Sequence, residues 1–287
     1  MLNFGGLPDE YSNYESSEIV IVPVPYDGTS TWIKGSDKGP EALLEASMNM
    51  ELYDIQTDSE VYLRGIHTQQ AITGPGDPET LAAIVKRTLN EIFDAKKFPV
   101  LIGGEHSVSI GAIQSAAEKF KNITILQIDA HADLRDEYED SKYNHACVMA
   151  RAREVAPIVQ AGIRSMSVEE KINMDFGRVF WAHNIKPGDE EWIQKALSLL
   201  TEKVYITIDL DGFDPSCLPA TGTPEPGGPD YATIINFLRE VIHRRNLVGF
   251  DVVELCPIKG NKASDFLAAK LVYQLLSFKF ENNKKTT

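Results

Sequence analysis

This sequence predicts an α/β fold: a sheet of about eight strands, mainly parallel, covered by helices on both faces. Three observations predict it. Apolar, β-branched runs alternate with stretches of helical periodicity along the chain, which is the pattern of βαβ units. The runs are apolar at nearly every position rather than at alternate ones, as strands buried on both faces require. Three of the runs break at their C-terminal ends into Gly, Asp, Glu and His. That end of the strands is where α/β sheets build their sites.

In chain order, residues 1–17 read as a polar arm containing Gly, Pro and Tyr. Glu18 to Val24 is the first strand, closed by Pro23 and Pro25, and Asp27-Gly28-Thr29-Ser30 is turn chemistry. Pro40 stands where a helix begins, and Glu41 to Met48 continues it. A weaker strand spans 60–66, and Gly74-Pro75-Gly76-Asp77-Pro78 breaks the chain before a helix over 79–96 with Leu81, Val85, Leu89 and Ile92 on one face. Phe98 to Ile102 is a strand that runs into Gly103-Gly104-Glu105-His106, followed by a helix to Phe120. The central strand, Ile123 to Ile128, runs into Asp129-Ala130-His131-Ala132-Asp133. A polar loop, Leu134 to Asn144, leads through His145 to a helical 148–153. Strands at 158–163, 179–181, 204–208 and 247–253 follow, with helices near 167–174, 189–200, 230–243 and 263–277. Residues 280–287 should fray. No repeat or linker divides the chain, so one domain over 1–287 is expected.

A formal net charge of −14 argues against nucleic acid and against an anionic membrane surface, both of which demand a basic face. It suits a small cationic substrate. The N-terminus has neither the basic nor the apolar region of a signal peptide, and no apolar run approaches a membrane span. Cys147, Cys217 and Cys256 are odd in number and scattered, with no Cys-x-x-Cys spacing. A reduced, cytoplasmic protein is the expectation, without a structural zinc site.

The strand ends carry the chemistry. Asp129 and Asp133 would lie about 13 Å apart on a straight strand, so the chain must curl if both are to serve one ion. Val204 to Ile208 ends in Asp209-Leu210-Asp211, repeating the pattern. In a parallel sheet the three strand ends share an edge, which gathers four carboxylates at one place. Repulsion and desolvation would drive such a group apart or protonate it unless cations balance it. Two divalent ions balance four carboxylates, and roughly 3.5–4 Å is the usual separation of a two-metal catalyst. Two imidazoles, four carboxylates and no thiolate favour Mn(II), with Fe(II), Co(II) and Ni(II) as alternatives. Solvent bridging two such ions ionises near neutral pH.

Gly-Gly-Glu-His at 103–106, Asp-Ala-His-Ala-Asp at 129–133 and Asp-Leu-Asp at 209–211 resemble the ureohydrolase family of arginases and agmatinases. So do Pro219 to Gly228 and Val253-Glu254-Leu255-Cys256-Pro257. The resemblance runs from about Val22 to the last helix, with the motifs in family order. It implies a three-layer α/β/α, arginase-like fold and a homo-oligomer, a trimer or hexamer. It also implies a ligand set, with one Mn(II) on His106, Asp129, Asp133 and Asp209 and the other on Asp129, His131, Asp209 and Asp211. Ala220 and Asn144-His145-Ala146-Cys147 depart from the commoner family pattern and leave the pocket's shape open.

A guanidinium carbon is a poor electrophile and its amine a poor leaving group. Cleavage therefore needs a strong, positioned nucleophile and an acid for the departing nitrogen. His145 is the candidate acid, since by resemblance it sits where the family keeps a mobile histidine, and Asp133 would relay the water's proton. Glu254 would accept two guanidinium N–H bonds as a bidentate pair, so His145 and Glu254 both bind substrate. Cys147 reads as a packed thiol. Arginases grip an α-carboxylate with polar side chains in the loop that here reads Arg135-Asp136-Glu137-Tyr138-Glu139-Asp140, and hold an ammonium with acids where Ser165 and Ser167 stand. Both differences favour agmatine over arginine, guanidinobutyrate, formiminoglutamate or guanidine. A binuclear phosphoesterase, which would show Gly-Asn-His, and an inactive metal scaffold are the rival readings.

Overall fold

In the computed structural model, which describes residues 2–74 and 76–281, eight strands hydrogen-bond into one all-parallel sheet. They are β1 (Ile19–Val24), β2 (Ile66–Thr68), β3 (Phe98–Gly103), β4 (Ile123–Ile128), β5 (Ile158–Ile163), β6 (Val179–Trp181), β7 (Lys203–Asp209) and β8 (Asn246–Val253). Their order across the sheet is β2-β1-β3-β8-β7-β4-β5-β6. Strands β1, β3, β4 and β5 are buried along their whole length, which explains why their sequences are apolar at nearly every position. The order has a direct consequence. The ends of β3, β8, β7 and β4 are consecutive, so four loops from distant parts of the chain start within roughly 15 Å of one another.

The α-helices are α1 (Asp9–Ser12), α2 (Gly39–Ser47), α3 (Pro78–Asp94), α4 (Ser109–Lys119), α5 (Val148–Arg153), α6 (Glu191–Leu199), α7 (Tyr231–Arg244) and α8 (Ala263–Lys279). Local chemistry sets their starts. Asp77 accepts the Thr80 N–H before α3, with Pro78 at the first helical position, and Asp230 does the same for Thr233 before α7. One core lies between the sheet and α2, α6, α7 and α8, where Leu43, Trp192, Phe237 and Leu275 meet Ile102 and Ile206. The other lies between the opposite face and α3, α4 and α5, where Val85, Ile113 and Met149 meet Leu101 and Ile125. Three layers result, as the sequence implied.

Two elements differ from expectation. Over 60–66 the chain forms a 3-10 turn, Val61–Arg64, and the strand begins at Ile66. Only three residues pair, at the sheet's edge, too few to leave a periodic signal. Over 167–174 there is a 3-10 turn, Glu169–Ile172, rather than a helix. Val168 and Ile172 are exposed there, while Glu170 folds inward and accepts the backbone N–H groups of Leu134 and Ser167. The N-terminal arm is anchored, with Phe4 fully buried and its N–H given to Thr68. Phe280 packs edge-on against Phe98, and the tail beyond 281 lies outside the described residues. Among the described residues no helix is long and apolar enough to cross a membrane.

Candidate metal centre

The loops after β3, β4 and β7 bring their acids and imidazoles together. His106 Nδ1 lies 2.9 Å from Asp133 Oδ2, 3.3 Å from Asp129 Oδ2 and 3.5 Å from Asp209 Oδ2. His131 Nδ1 lies 2.9 Å from Asp211 Oδ2 and 3.7 Å from Asp129 Oδ1. Two ligand groups follow: His106, Asp129 and Asp209 in one, Asp129, His131 and Asp211 in the other. Asp129 belongs to both, whereas Asp209 falls only in the first. Asp133 reaches the first cluster because the chain turns sharply, with Asp133 itself at φ +51°. That turn is the curl the spacing demanded.

Interactions beneath the cluster aim it. Thr207 donates to Asp251 at 2.6 Å, so its oxygen is left to accept from His106 Nε2 at 2.9 Å. A hydrogen of His106 is thereby held on Nε2, and Nδ1 is turned toward the carboxylates. Ser109 also donates to Asp251, which is wholly buried. Gln160 donates to Gln127, which donates to Asp129 Oδ2, both at 2.6 Å. Backbone N–H groups of His131 and Asp211 fix Asp129 and Asp209. Gly212 allows the β7 loop this close, since a Cβ there would stand 2.8 Å from the Asp129 nitrogen. Arg164 clips the same turn by donating to the carbonyls of Asp211, Gly212 and Phe213, and reaches Glu225 in the 219–229 loop.

The residues fit divalent cations on two counts. Buried His106 Nδ1 makes no hydrogen bond of good geometry among the described residues, although three carboxylate oxygens surround it. A lone pair facing three oxygens is stable only around a shared cation or proton. The acids themselves compete for protons. Burial, then Asp129, pushes the Asp133 carboxyl up to about 7. Burial, then Asp211 and Asp129, raises Asp209 well above the carboxylate range. Burial opposes charge on His131, yet Asp211 and Asp129 push it up to about 12.

A cleft of about 320 Å³ opens above the cluster, and His145, Glu254, Arg135 and Tyr138 line it with the ligand residues. Glu254, at φ +66°, accepts the His106 N–H through Oε1 at 2.8 Å. Burial, followed by the Glu105 and Asp211 charges, holds its carboxyl well above the usual range. His145 is half-buried at the rim, with Tyr138 edge-on 6.3 Å away. Burial first, then repulsion from His106 and His131, pushes its imidazole down to about 4. Cys147 is packed inside, and burial pushes its thiol up to about 12, so it offers no nucleophile. Sequence reasoning missed Glu105, Thr29, Thr207 and Asp251. Thr207 had a signal, since it stands two residues before Asp209 and so faces the same side of its strand.

A buried double cluster of His and Asp at the C-terminal edge of an all-parallel α/β sheet defines a metal-site protein of hydrolase type. Residues 17–277 match the Arginase family, and the chain belongs to it. It is 38% identical to N(1)-aminopropylagmatine ureohydrolase of Synechocystis sp., over 96% of this chain and 93% of that one. To agmatinase of Pyrococcus horikoshii it is 30% identical, over 91% and 92%. The crystal structure of agmatine ureohydrolase of Thermoplasma volcanium superposes with a TM-score of 0.90 at 30% identity, covering 100% of this chain and 97% of that one.

Proposed function

We propose that this protein hydrolyses the guanidino group of a linear polyamine that carries no carboxylate, releasing urea and an amine. N(1)-aminopropylagmatine stands first as substrate and agmatine second, because the relative named for the longer compound is 38% identical and the agmatinase 30%. The observation that carries the reading is the buried His106 ring, tied through Nε2 to Thr207 so that Nδ1 faces three carboxylates beneath an open cleft.

His106, Asp129, Asp133 and Asp209 would hold one Mn(II), and Asp129, His131, Asp209 and Asp211 the other. Such a pair supplies a water acidic enough to ionise near neutral pH. The chain does the rest. Among the described residues Glu254 Oε2 has no hydrogen-bond partner and can take a guanidinium N–H, Oε1 can share a second with the His106 N–H, and the cation's charge favours the ionised carboxylate. Asp133 takes the proton of the attacking water. His145, neutral at pH 7, takes up a proton and returns it to the departing nitrogen as the C–N bond breaks. Among the cleft-lining side chains, Arg135 favours a second reading, a carboxylate-bearing guanidine such as guanidinobutyrate. Its guanidinium, however, already sits 4.6 Å over the Tyr138 ring and 3.8 Å from Glu169.

Urea release measured with Mn(II) on N(1)-aminopropylagmatine, agmatine, arginine, guanidinobutyrate and guanidine tests the proposal. Fastest turnover of the first two supports it, and arginine or guanidinobutyrate outrunning both overturns it. A cytoplasmic homo-oligomer, trimer or hexamer, belongs to the same reading, and sedimentation of the metal-loaded protein checks its size.

A further inference from the structure

One fully buried acid beside the centre has no part in the reading above. Glu105 has no exposed surface, and the hydroxyls of Ser107 and Thr29 donate to its two oxygens. Thr29 comes from the turn after β1, 76 residues away in sequence. Its Oγ1 also lies 3.0 Å from His145 Nδ1 and 3.0 Å from the His145 backbone nitrogen.

We propose that Glu105 is a positioning residue which, through the Thr29 hydroxyl, holds His145 with its proton on Nδ1 and with Nε2 open to the cleft. Donor counting supports this. A hydroxyl has one hydrogen and two lone pairs. Thr29 spends the hydrogen on Glu105, and its lone pairs meet two nitrogens of His145, one of which is a backbone N–H. The other nitrogen, Nδ1, must then carry hydrogen too. Nε2 is left as the basic atom, and it has no protein partner among the described residues. The arrangement repeats the Asp251–Thr207–His106 chain, with the ring inverted. There Nε2 is tied and Nδ1 points to the centre; here Nδ1 is tied and Nε2 is free.

The inference rests on the proposed cleavage of a guanidine, and it says how His145 serves it. Nε2 binds the proton given up by the attacking water, and that same proton passes to the amine nitrogen as its bond to the guanidino carbon breaks. The ring returns to its neutral form, and the Glu105 carboxylate, 3.8 Å from Nδ1, steadies the imidazolium in between.

Thr29→Val is the cleanest test, because Thr29 touches no candidate ligand. With N(1)-aminopropylagmatine and agmatine as substrates, kcat should fall about 10–100-fold. Bound Mn(II) should stay equal to wild type and KM should stay within about threefold. Thr29→Ser, which keeps the hydroxyl, should recover kcat to within about threefold. Glu105→Gln should lower kcat similarly, and the double variant should be no slower than the slower single one, the behaviour of two groups acting as a unit. An active wild type matched in kcat by Thr29→Val, or a variant whose loss lies in KM or metal content, overturns the inference alone. A wild type that frees no urea from any guanidine overturns the proposed function and this inference with it.

Discussion

The floor and the rim of the cleft are built on different principles. On the floor, His106, Asp129, Asp133, Asp209 and Asp211 are buried, sit on the ends of β3, β4 and β7, and are held from beneath by Gln127 and Thr207. Their separations are inherited from strand register, because β7 pairs with β4 up to Ile208 and Ile128. At the rim, Arg135, Tyr138 and His145 line the cleft and Glu225 stands beside His131; all four are half-buried and none is on a strand of the sheet. Arg135, Tyr138 and His145 touch in sequence through a ring stack and an edge contact, and Arg135 reaches Glu169 through a long ion pair. Chemistry that tolerates no ångström of error is placed on the sheet, and recognition on segments that can vary without moving it.

If that division is right, floor substitutions should act on metal and kcat, rim substitutions on KM and substrate choice. The largest effect should come from Asp129→Asn, which alters the carboxylate common to both ligand groups. Urea release should fall on the order of 10³-fold, the scale of about 4 kcal/mol, and metal analysis should find fewer than two ions per chain. Full occupancy in that variant would remove Asp129 from the centre. Next comes Thr207→Val, which contacts no ion and keeps the side-chain shape. Loss of the acceptor for His106 Nε2 should weaken metal affinity about 10–100-fold, seen by titration against a chelator. Unchanged affinity would mean that strand register alone aims the imidazole.

A smaller effect separates floor from rim by pH. Three buried carboxyls of the cleft, Asp133 and Asp209 on the floor and Glu254 beside them, have folded pKa values above their ordinary ones. Between the ordinary carboxylate range and about 7 they bind more protons folded than unfolded, so the metal-free protein loses stability as pH rises through that window. His145, pushed down to about 4, works in the opposite sense but is outnumbered, since burial raises Glu105 and Asp251 as well. After chelation, Tm should therefore be higher at pH 5.5 than at pH 7.5 by at least about 3 °C. With metal bound the order should reverse, since ligation requires the ionised acids. A metal-free protein whose Tm rises with pH would contradict the charge balance drawn for the floor.

The same division explains what could be read from the sequence. Strands such as Ile123–Ile128 announce themselves because both faces are buried, and their ends mark the floor because Asp and His interrupt apolar runs. The edge strand Ile66–Thr68 and the turn Glu169–Ile172 give no such signal, being short or shaped by a distant contact such as Glu170 with Leu134. The supports of the site are hidden for a related reason. Thr29 meets His145 across 116 residues and Thr207 meets His106 across 101, and a lone threonine in a turn or strand carries no local mark of its partner. Arg135 shows the limit from the other side. The loop's acids suggested a wall hostile to carboxylates, yet the residue lining the cleft from that segment's start is a cation.

Glu225 offers the finest test of the rim. Its Oε1 lies 4.0 Å from His131 Nε2, its backbone is clipped by Arg164, and its side chain stays half-exposed beside that ring. A carboxylate there attracts a polycation but does not touch the reacting carbon. An exposed ion pair contributes at most about 1 kcal/mol and is screened by salt. Glu225→Gln should therefore raise KM by roughly threefold to fivefold, with kcat and bound metal unchanged. The increase should be greater for N(1)-aminopropylagmatine than for agmatine, because the longer compound carries the additional cation. Raising ionic strength should lift the wild-type KM toward the variant's and leave the variant almost flat. A fall in kcat instead would show that Glu225 acts on His131, and would move that residue from the rim to the floor.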